Sequence, residues 1–199
     1  MKTLPKYRKL LLEALVYFSS SVKHPTKMMM YKMLAKFDYL HYEETGLPAT
    51  SLEYESWEKG DVPAEFHREI TKGEDVILPE YMQDSLSVSK EIFTLPDGKR
   101  GVEFGFHPKR GRTPNLKVFT PRQQRILKKV IDMFKEAPAW MASEASHEPN
   151  TPWSRTVKAE GRNKKIDLIK YADLDKSINL ELAKEKIEEM KALVANYGE

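Results

Sequence analysis

The chain has 199 residues, of which 40% are hydrophobic and 32% charged, and its formal net charge is +3. This balance is typical of one globular domain and excludes a disordered chain. No apolar run approaches the roughly 18–20 residues that a transmembrane helix needs, and a chain without cysteine has neither a disulfide framework nor thiolate chemistry. We therefore expect a cytoplasmic protein.

Two helices are predicted at the start of the chain. The first covers about residues 5–20, since proline is well tolerated in a first helical turn. The second begins near Thr26, and its apolar residues recur at spacings of three and four, which places them on one face. Gly46 is expected just after its last turn, and Pro48 follows as a stop.

The next region is predicted as short helices and loops. Residues 50–53, Thr-Ser-Leu-Glu, have the form of a capping box, which predicts a short helix carrying Tyr54 and Trp57. Gly60 would end that helix, and Pro63 would open another. Residues 73–87 have weak periodicity and are predicted as loop with some helix.

A β-hairpin is predicted in the middle of the chain. Residues 90–95 and 101–107 alternate in polarity and flank an Asp-Gly pair, which is a common turn sequence. Residues 116–119, Leu-Lys-Val-Phe, are predicted to add a third strand.

The second half of the chain is predicted to be helical again. Residues 120–123 form a capping box with proline at the first helical position, and an apolar face continues to Phe134. Pro138 would separate this helix from a short one that carries Trp140 and ends near His147. A basic connector and a terminal helix over about 179–196 complete the chain. The predicted fold class is thus α+β, mainly α: a helical domain with a small antiparallel hairpin or three-stranded sheet.

Charge is distributed unevenly along the chain. Residues 43–91 contain 13 acidic and 4 basic side chains, and residues 99–129 contain 10 basic and one acidic side chain. This polarity indicates either two faces with different partners or two faces that meet each other. Chance clustering on a solvated surface is the simpler alternative.

Asp38 and His41 are the polar residues that most invite a chemical interpretation. They lie at i and i+3 on the second helix and can therefore touch. They could form an acid–base dyad or two ligands of a metal site, which His67 or His147 would have to complete. They could equally be a polar pair that fixes the helix against its neighbours, and we favour this reading. Because the chain also lacks a phosphate-binding glycine loop and a nucleophile elbow, we predict no catalytic residue, no metal and no cofactor.

The basic block at 99–129 supports a nucleic-acid hypothesis. Its cations could follow phosphates, with Phe104 and Phe106 nearby for stacking. However, aromatic residues that alternate along one strand face are more typical of a core, and cations on the polar side of a helix are typical of a solvated face.

Several segments together resemble the SocA-like antitoxin, or Panacea, domain. In that family an early helix carries Thr-Lys, apolar residues, then an aromatic residue, Asp and His before a Gly-x-Pro turn. A tyrosine-centred segment follows, and a Ser-His pair and a Trp come near the end. The matching residues are Thr26, Lys27, Met28, Met29, Met30, Leu34, Phe37, Asp38, His41, Gly46, Pro48, Tyr54, Trp57, Gly60, Ser146, His147 and Trp153. The chain departs from the family's glycine-proline-valine element, since Asp61-Val62-Pro63 follows Gly60.

The resemblance implies a domain over residues 1–155, with residues 156–199 packed on it as a basic connector and a helix. It also implies a cytosolic prokaryotic or phage antitoxin, not an enzyme, that binds and neutralises a cognate protein toxin. One alternative is an adaptor that delivers the toxin to a Clp-type protease, and another is a nucleic-acid-binding protein that uses residues 99–129. Two charged clusters are the candidate partner-binding residues: Arg110, Arg112, Arg122 and Arg125, and Glu53, Glu55, Glu58 and Asp61.

Overall fold

A computed structural model describes residues 4–94, 98–137 and 147–197. Helices α1 (Lys6–Ser21) and α2 (Lys27–Thr45) begin and end where the sequence predicts. The side chain of Thr26 accepts a hydrogen bond from the main-chain N–H of Met29 at 3.2 Å and so caps α2. Gly46 ends α2 with φ at 73°, a left-handed conformation that glycine adopts at little cost.

The segment after α2 forms a β-hairpin, so the short helix predicted to start at residues 50–53 and to carry Tyr54 and Trp57 is wrong. Strand β1 (Tyr54–Trp57) pairs antiparallel with β2 (Gly60–Pro63). Ser51 has φ at 61°, which does not permit a helical first turn, and Thr50 is held by contacts with α2. The short-range signal for a helix is therefore overridden by tertiary contacts.

The hairpin leads into α3 (Ala64–Ile70), the helix predicted after Pro63. A very short hairpin, β3 (Thr71–Lys72) with β4 (Asp75–Val76), and the single turn α4 (Glu80–Gln83) then occupy the region predicted as loop with some helix.

The long central hairpin is confirmed, and it is longer than predicted. Strand β5 (Leu86–Thr94) pairs antiparallel with β6 (Arg100–Pro108) over nine residues. The third strand predicted at 116–119 is wrong, since Leu116–Val118 forms a 3₁₀ turn. The preceding main-chain N–H, of Asn115, donates to the Glu13 carboxylate on α1 at 2.7 Å, and this bond holds the segment against a helix instead of against the hairpin.

The remaining helices are α5 (Pro121–Phe134), α6 (Pro152–Glu160), α7 (Leu168–Tyr171) and α8 (Leu180–Tyr197). Helix α5 begins with the predicted capping box. The short helix predicted around Trp140 lies outside the described residues.

Helix α2 is the centre of the fold, because α1, α5, β2 and β6 all pack against it. The larger hydrophobic core joins apolar side chains of α1, α2, α5 and the base of the central hairpin. A smaller cluster lies on another side of α2 and contains Ala35, Tyr39, Tyr54, Trp153 and Ile166. In the described part of the chain, no helix has the length and apolar character needed to cross a membrane.

The segment after α6 runs beside β1. Main-chain hydrogen bonds join Ser56 N to Lys164 O at 2.8 Å, Asn163 N to Ser56 O at 2.7 Å and Ile166 N to Tyr54 O at 2.8 Å. Farther along, α8 approaches the end of α2, where a side chain at Gly46 would come within 2.7 Å of the Ala183 Cβ. Glycine is therefore required at position 46 by the approach of α8 as well as by its backbone angle.

Candidate functional site

The carboxylate of Asp38 is fully buried beneath the turn that follows α2. Its Oδ1 accepts the main-chain N–H of Thr50 at 2.7 Å, and its Oδ2 accepts the hydroxyl of Tyr54 at 2.7 Å and a short hydrogen bond from the Thr50 hydroxyl. Burial raises the pKa of Asp38 to about 6, although these hydrogen bonds act in the opposite direction. The residue therefore ties α2 to the segment that leads into β1.

His41 holds the same turn from its other end. Its Nδ1 lies 2.7 Å from the main-chain oxygen of Leu47, and because a carbonyl oxygen can only accept, Nδ1 must carry the proton. Burial lowers the pKa of His41. Asp38 and His41 thus have different partners, Thr50 and Leu47. Each of the two side chains holds part of the same turn.

A second buried polar group joins α2 to the hairpin β1–β2. The Nζ of Lys32 donates to the main-chain oxygen of Asp61 at 2.8 Å, and the hydroxyl of Tyr39 donates to Oδ1 of Asp61 at 2.5 Å. Lys32 is 2% exposed and Asp61 3% exposed. Burial lowers the pKa of Lys32 to about 8, and it raises that of Tyr39 well above its usual value.

The two halves of the split sequence motif meet in the fold. Trp153, from the start of α6, packs in the smaller cluster with Tyr39 and Tyr54, and its Nε1 donates to the main-chain oxygen of Trp57 at 3.0 Å. The ring of His147 lies 4.4 Å from that of Trp153. Trp153 therefore packs beside α2 and β1.

Two further motif residues have local partners. Lys27, in the first turn of α2, places its Nζ 5.3 Å from the centre of the Phe104 ring, and burial lowers its pKa. Trp57 donates from Nε1 to Glu55 at 2.8 Å and lies against the His67 ring at 4.9 Å. Both contacts are consistent with structural roles.

The basic candidate residues differ in whether they form ion pairs within the chain. Arg112 forms an ion pair at 2.5 Å with Glu13, which is 5% exposed. Arg125 and Arg122 approach the carboxylate of Glu44 at 2.7 and 3.7 Å. Arg110 is exposed. The acidic segment 43–91 and the basic segment 99–129 therefore meet each other at Glu44.

The acidic candidate residues face the connector after α6. Glu53 pairs with Lys165 at 2.5 Å and Glu58 with Arg162 at 3.4 Å. Glu55 lies 3.7 Å from Arg68, whereas Asp61 is buried beside Tyr39. Within this chain, the acidic cluster is thus largely matched by basic side chains of residues 162–165 and α3.

The outer half of the hairpin β5–β6 exposes apolar side chains, in contrast to the charged clusters. Ile92 and Val102 are cross-strand partners, and they are 64% and 47% exposed. Phe93, on the other face of the hairpin, is 46% exposed. At the base of the hairpin, Phe106 has no exposed surface. Since alternate residues of a strand share a face, Phe106, Phe104, Val102 and Ile92 lie on one face, which Lys90 interrupts and which becomes exposed towards Ile92 and Val102.

Sequence reasoning missed the polar roles of Lys32, Tyr39 and Thr50, and it named Tyr54 only as a member of the family pattern and of a predicted helix. A polar position on an amphipathic helix is ordinarily assigned to solvent, which is why Lys32 was overlooked. A usable signal was present: α2 carries Tyr31, Tyr39 and Tyr42 outside its main apolar face, and a helix that is apolar around most of its circumference is surrounded by protein.

The buried polar residues of this site hold α2 to its neighbouring segments, which is a structural role. Among the described residues, no group of three or more His, Cys, Asp or Glu side chains is placed to hold a metal ion. The buried carboxylates of Asp38 and Asp61 are both committed to hydroxyl donors of tyrosine.

Comparison with known proteins identifies the domain. The family model for the SocA-like antitoxin, Panacea domain, matches residues 30–154, which include α2, the three hairpins, α5 and the start of α6. No curated protein and no solved structure gives a match. The matched segment includes Asp38, His41, Trp57 and Trp153, and it covers more than half of the chain. The chain therefore belongs to the SocA-like antitoxin (Panacea domain) family.

Proposed function

We propose that this protein is an antitoxin that neutralises a cognate protein toxin by direct, non-catalytic binding in the cytoplasm of a prokaryote or during phage infection. The family assignment supports the antitoxin role. The observation that carries direct binding is the apolar outer half of the hairpin β5–β6, which has no partner among the described residues.

The hairpin is suited to a protein partner for two reasons. Ile92 and Val102 offer adjacent apolar side chains at its end, and clustered exposed apolar residues mark interaction sites on soluble proteins. In addition, strands at the edge of a sheet present main-chain donors and acceptors that another chain can pair with. Over the described ranges, this sheet consists of β5 and β6.

The charged clusters add an electrostatic component to this proposal. Arg110, Arg112, Arg122 and Arg125 form a basic face, while Glu53, Glu55 and Glu58 lie beside the connector. Complementary charge accelerates association more than it raises affinity. Arg112, Arg122 and Arg125 have ion-pair partners within the chain, as does the acidic cluster, so the exposed Arg110 is the better candidate for contact with a toxin.

The proposal treats residues 1–155 and 156–199 as one folded unit. Support comes from the main-chain pairing of residues 163–166 with β1, and from the hydrogen bond between Asp175 N and Glu43 O at 2.9 Å. Ser51 also contacts the sulfur of Met190 at 3.1 Å.

Co-expression with the product of the neighbouring reading frame tests the function. The wild-type chain is expected to restore growth and to co-purify with that product. Changing both Ile92 and Val102 to Ser should abolish rescue while the variant remains folded, because these side chains have little contact within the chain. Leu182→Ser is the matched control, since Leu182 is also an exposed apolar residue, at 48%, but lies on α8. Rescue by the hairpin variant equal to that of the control would contradict the proposed surface.

Charge reversal distinguishes toxin binding from nucleic-acid binding. Arg110→Glu should slow association with the toxin and make rescue weaker, with the largest difference at low salt. If the protein instead binds DNA through residues 99–129, the wild-type chain should bind a duplex without the toxin, with a steep dependence on salt. If rescue requires an active Clp-type protease, the adaptor mechanism replaces simple occlusion.

A further inference from the structure

A cleft of about 700 Å³ lies between α2, the end of α5 and residues 147–152. Its volume is within the range of pockets that enclose a small ligand, which is also enough for one or two side chains of a protein partner. Lys32, Lys36 and Tyr39 contribute to the wall on the side of α2, and Met133 and Phe134 on the side of α5. The cleft therefore combines cationic groups with an apolar wall.

Lys32 is the unusual member of this wall, because it is a buried cation that forms no ion pair with any described residue. Its Nζ donates to the main-chain oxygen of Asp61 at 2.8 Å. The carboxylate of Asp61 attracts Lys32, but it accepts the hydroxyl of Tyr39 and forms no ion pair with the lysine. An ammonium group has three donor protons, and a buried charge is costly unless it is paired. An anion that entered the cleft would remove this cost.

Two further nitrogens line the same cleft. Lys36 follows Lys32 by one helical turn, so both side chains leave α2 on the same face. Lys36 is half-buried and is attracted to the carboxylate of Glu43. The Nε2 of His147 is buried and has no hydrogen-bond partner in the part of the chain that the structure describes.

The acidic residues of the cleft leave the Lys32 charge unmatched. Asp61 is occupied by Tyr39, and Glu148 lies on the exposed rim. Glu43 lies two turns from Lys36 along α2, and its pKa is raised, chiefly by burial. An added carboxylate would therefore gain the most electrostatic stabilisation at the buried end of the cleft, near Lys32.

We propose that this cleft receives an aspartate or glutamate side chain of the toxin, with its carboxylate held between the Nζ atoms of Lys32 and Lys36. Met133 and Phe134 then cover the apolar atoms beside that side chain. This inference rests on the proposed function, since it names the group of the toxin that the antitoxin recognises.

Lysine-to-methionine variants test the inference, because methionine keeps most of the length of the side chain and removes the charge. Lys32→Met and Lys36→Met should each weaken the purified complex with the toxin by at least about tenfold, mainly through faster dissociation, as for loss of one member of a desolvated charge pair. Lys9→Met is the matched control on the exposed side of α1 and should leave the affinity unchanged. Lys36 is only half-buried, so its variant remains informative even if Lys32→Met fails to fold.

Equal affinities of Lys36→Met and Lys9→Met for the toxin would overturn the inference. A loss of affinity in Glu43→Gln without a loss in either lysine variant would also overturn it, because the cleft would then receive a cation.

A titration with sodium acetate separates failure of the cleft from failure of the proposed function. Acetate should perturb the NMR signals of the cleft in the wild-type chain, relative to sodium chloride at the same ionic strength, and Lys32→Met should abolish this perturbation. No perturbation of the wild-type chain by acetate overturns the anion site. If acetate binds while the wild-type chain neither binds nor neutralises its neighbour's product, the cleft is an anion site but the proposed function and the assignment of its ligand to a toxin both fail.

Discussion

Helix α2 and the outer half of the hairpin β5–β6 depart from the usual distribution of residues in opposite directions. The helix buries the charged groups of Lys32 and Asp38, whereas the hairpin exposes Ile92 and Val102. Apolar residues are ordinarily found inside and charged ones outside. The two departures are compensated differently: the carboxylate of Asp38 has hydrogen-bond donors from its own chain, whereas Ile92 and Val102 remain exposed among the described residues.

The buried carboxylate of Asp38 therefore has a structural role, whereas the end of the hairpin, like Lys32 in the cleft, is a surface that we propose for binding. A buried carboxylate with three donors fixes one arrangement of neighbouring segments, because any other arrangement leaves donors unpaired. An exposed apolar pair contributes little to folding, since its side chains remain in water in the native state. Mutations in the two regions should therefore separate stability from partner affinity.

Substitutions at the two ends of the hairpin β5–β6 should differ most in their effect on the free energy of unfolding. Phe106→Ala at the buried base should lower the free energy of unfolding by about 3–5 kcal/mol, because it removes a fully buried aromatic ring and leaves a cavity. Urea unfolding followed by circular dichroism measures this change. A loss smaller than 1 kcal/mol would show that the base of the hairpin is not part of the core.

The pH dependence of stability should reveal the buried carboxylate. The pKa of Asp38 is raised to about 6 in the folded chain, from 3.8 for an ordinary aspartate, so the native state binds more protons than the unfolded state between these values. The stability of the wild-type chain relative to Asp38→Asn should therefore fall by roughly 2 kcal/mol as pH rises from about 4 to 6. The other titrating groups are present in both the wild-type chain and Asp38→Asn, so their contributions to the difference in stability cancel. A difference that rises with pH would mean that the hydrogen bonds from Thr50 and Tyr54 outweigh burial.

Removing the same side chain tests its role in holding the turn. Asp38→Ala should lower the free energy of unfolding by about 1–3 kcal/mol at neutral pH, because it leaves Thr50 and Tyr54 as buried donors without an acceptor. Tyr54→Phe removes only one of the three hydrogen bonds and should cost less. Asp132→Ala, on the exposed side of α5, is the control and should not change the thermal midpoint. Equal midpoints for Asp38→Ala and this control would assign Asp38 a surface role.

The smallest effect on stability is expected at the end of the hairpin. Ile92→Ser and Val102→Ser should each change the free energy of unfolding by less than about 0.5 kcal/mol, as for other surface substitutions. Differential scanning fluorimetry is sufficient for this measurement. A loss comparable with that of Phe106→Ala would show that the end of the hairpin is packed in the native chain and would remove the basis for its role in binding.

Sequence patterns were most reliable where one element alone contained the signal. The bounds of α1, α2 and α5 follow from proline, threonine and glycine at their ends and from periodic apolar residues between them. The central hairpin follows from alternating residues around its turn. By contrast, the capping-box pattern at residues 50–53 failed because Thr50 is bound by Asp38, a residue twelve positions earlier, and because Ser51 is left-handed.

The sequence predicted only part of the polar site, for a related reason. Asp38, His41 and Trp153 could be picked out as members of a pattern shared with a family, and Asp38 and His41 were interpreted as a polar pair that fixes the helix. Their partners could not be identified, because a hydrogen bond between Asp38 and Tyr54, or between Trp153 and the main chain of Trp57, has no periodic signature in the sequence.

The sequence by itself therefore determined the secondary structure of the longer elements, the absence of cysteine chemistry and the resemblance to the family, since each depends on residue type and local spacing. Only the tertiary structure decided which charges are buried, which ion pairs join the acidic and basic segments, and which apolar residues remain exposed. Lys32 and Ile92 illustrate the physical reason: burial depends on the segments that pack over a residue, and those segments lie far away in the chain.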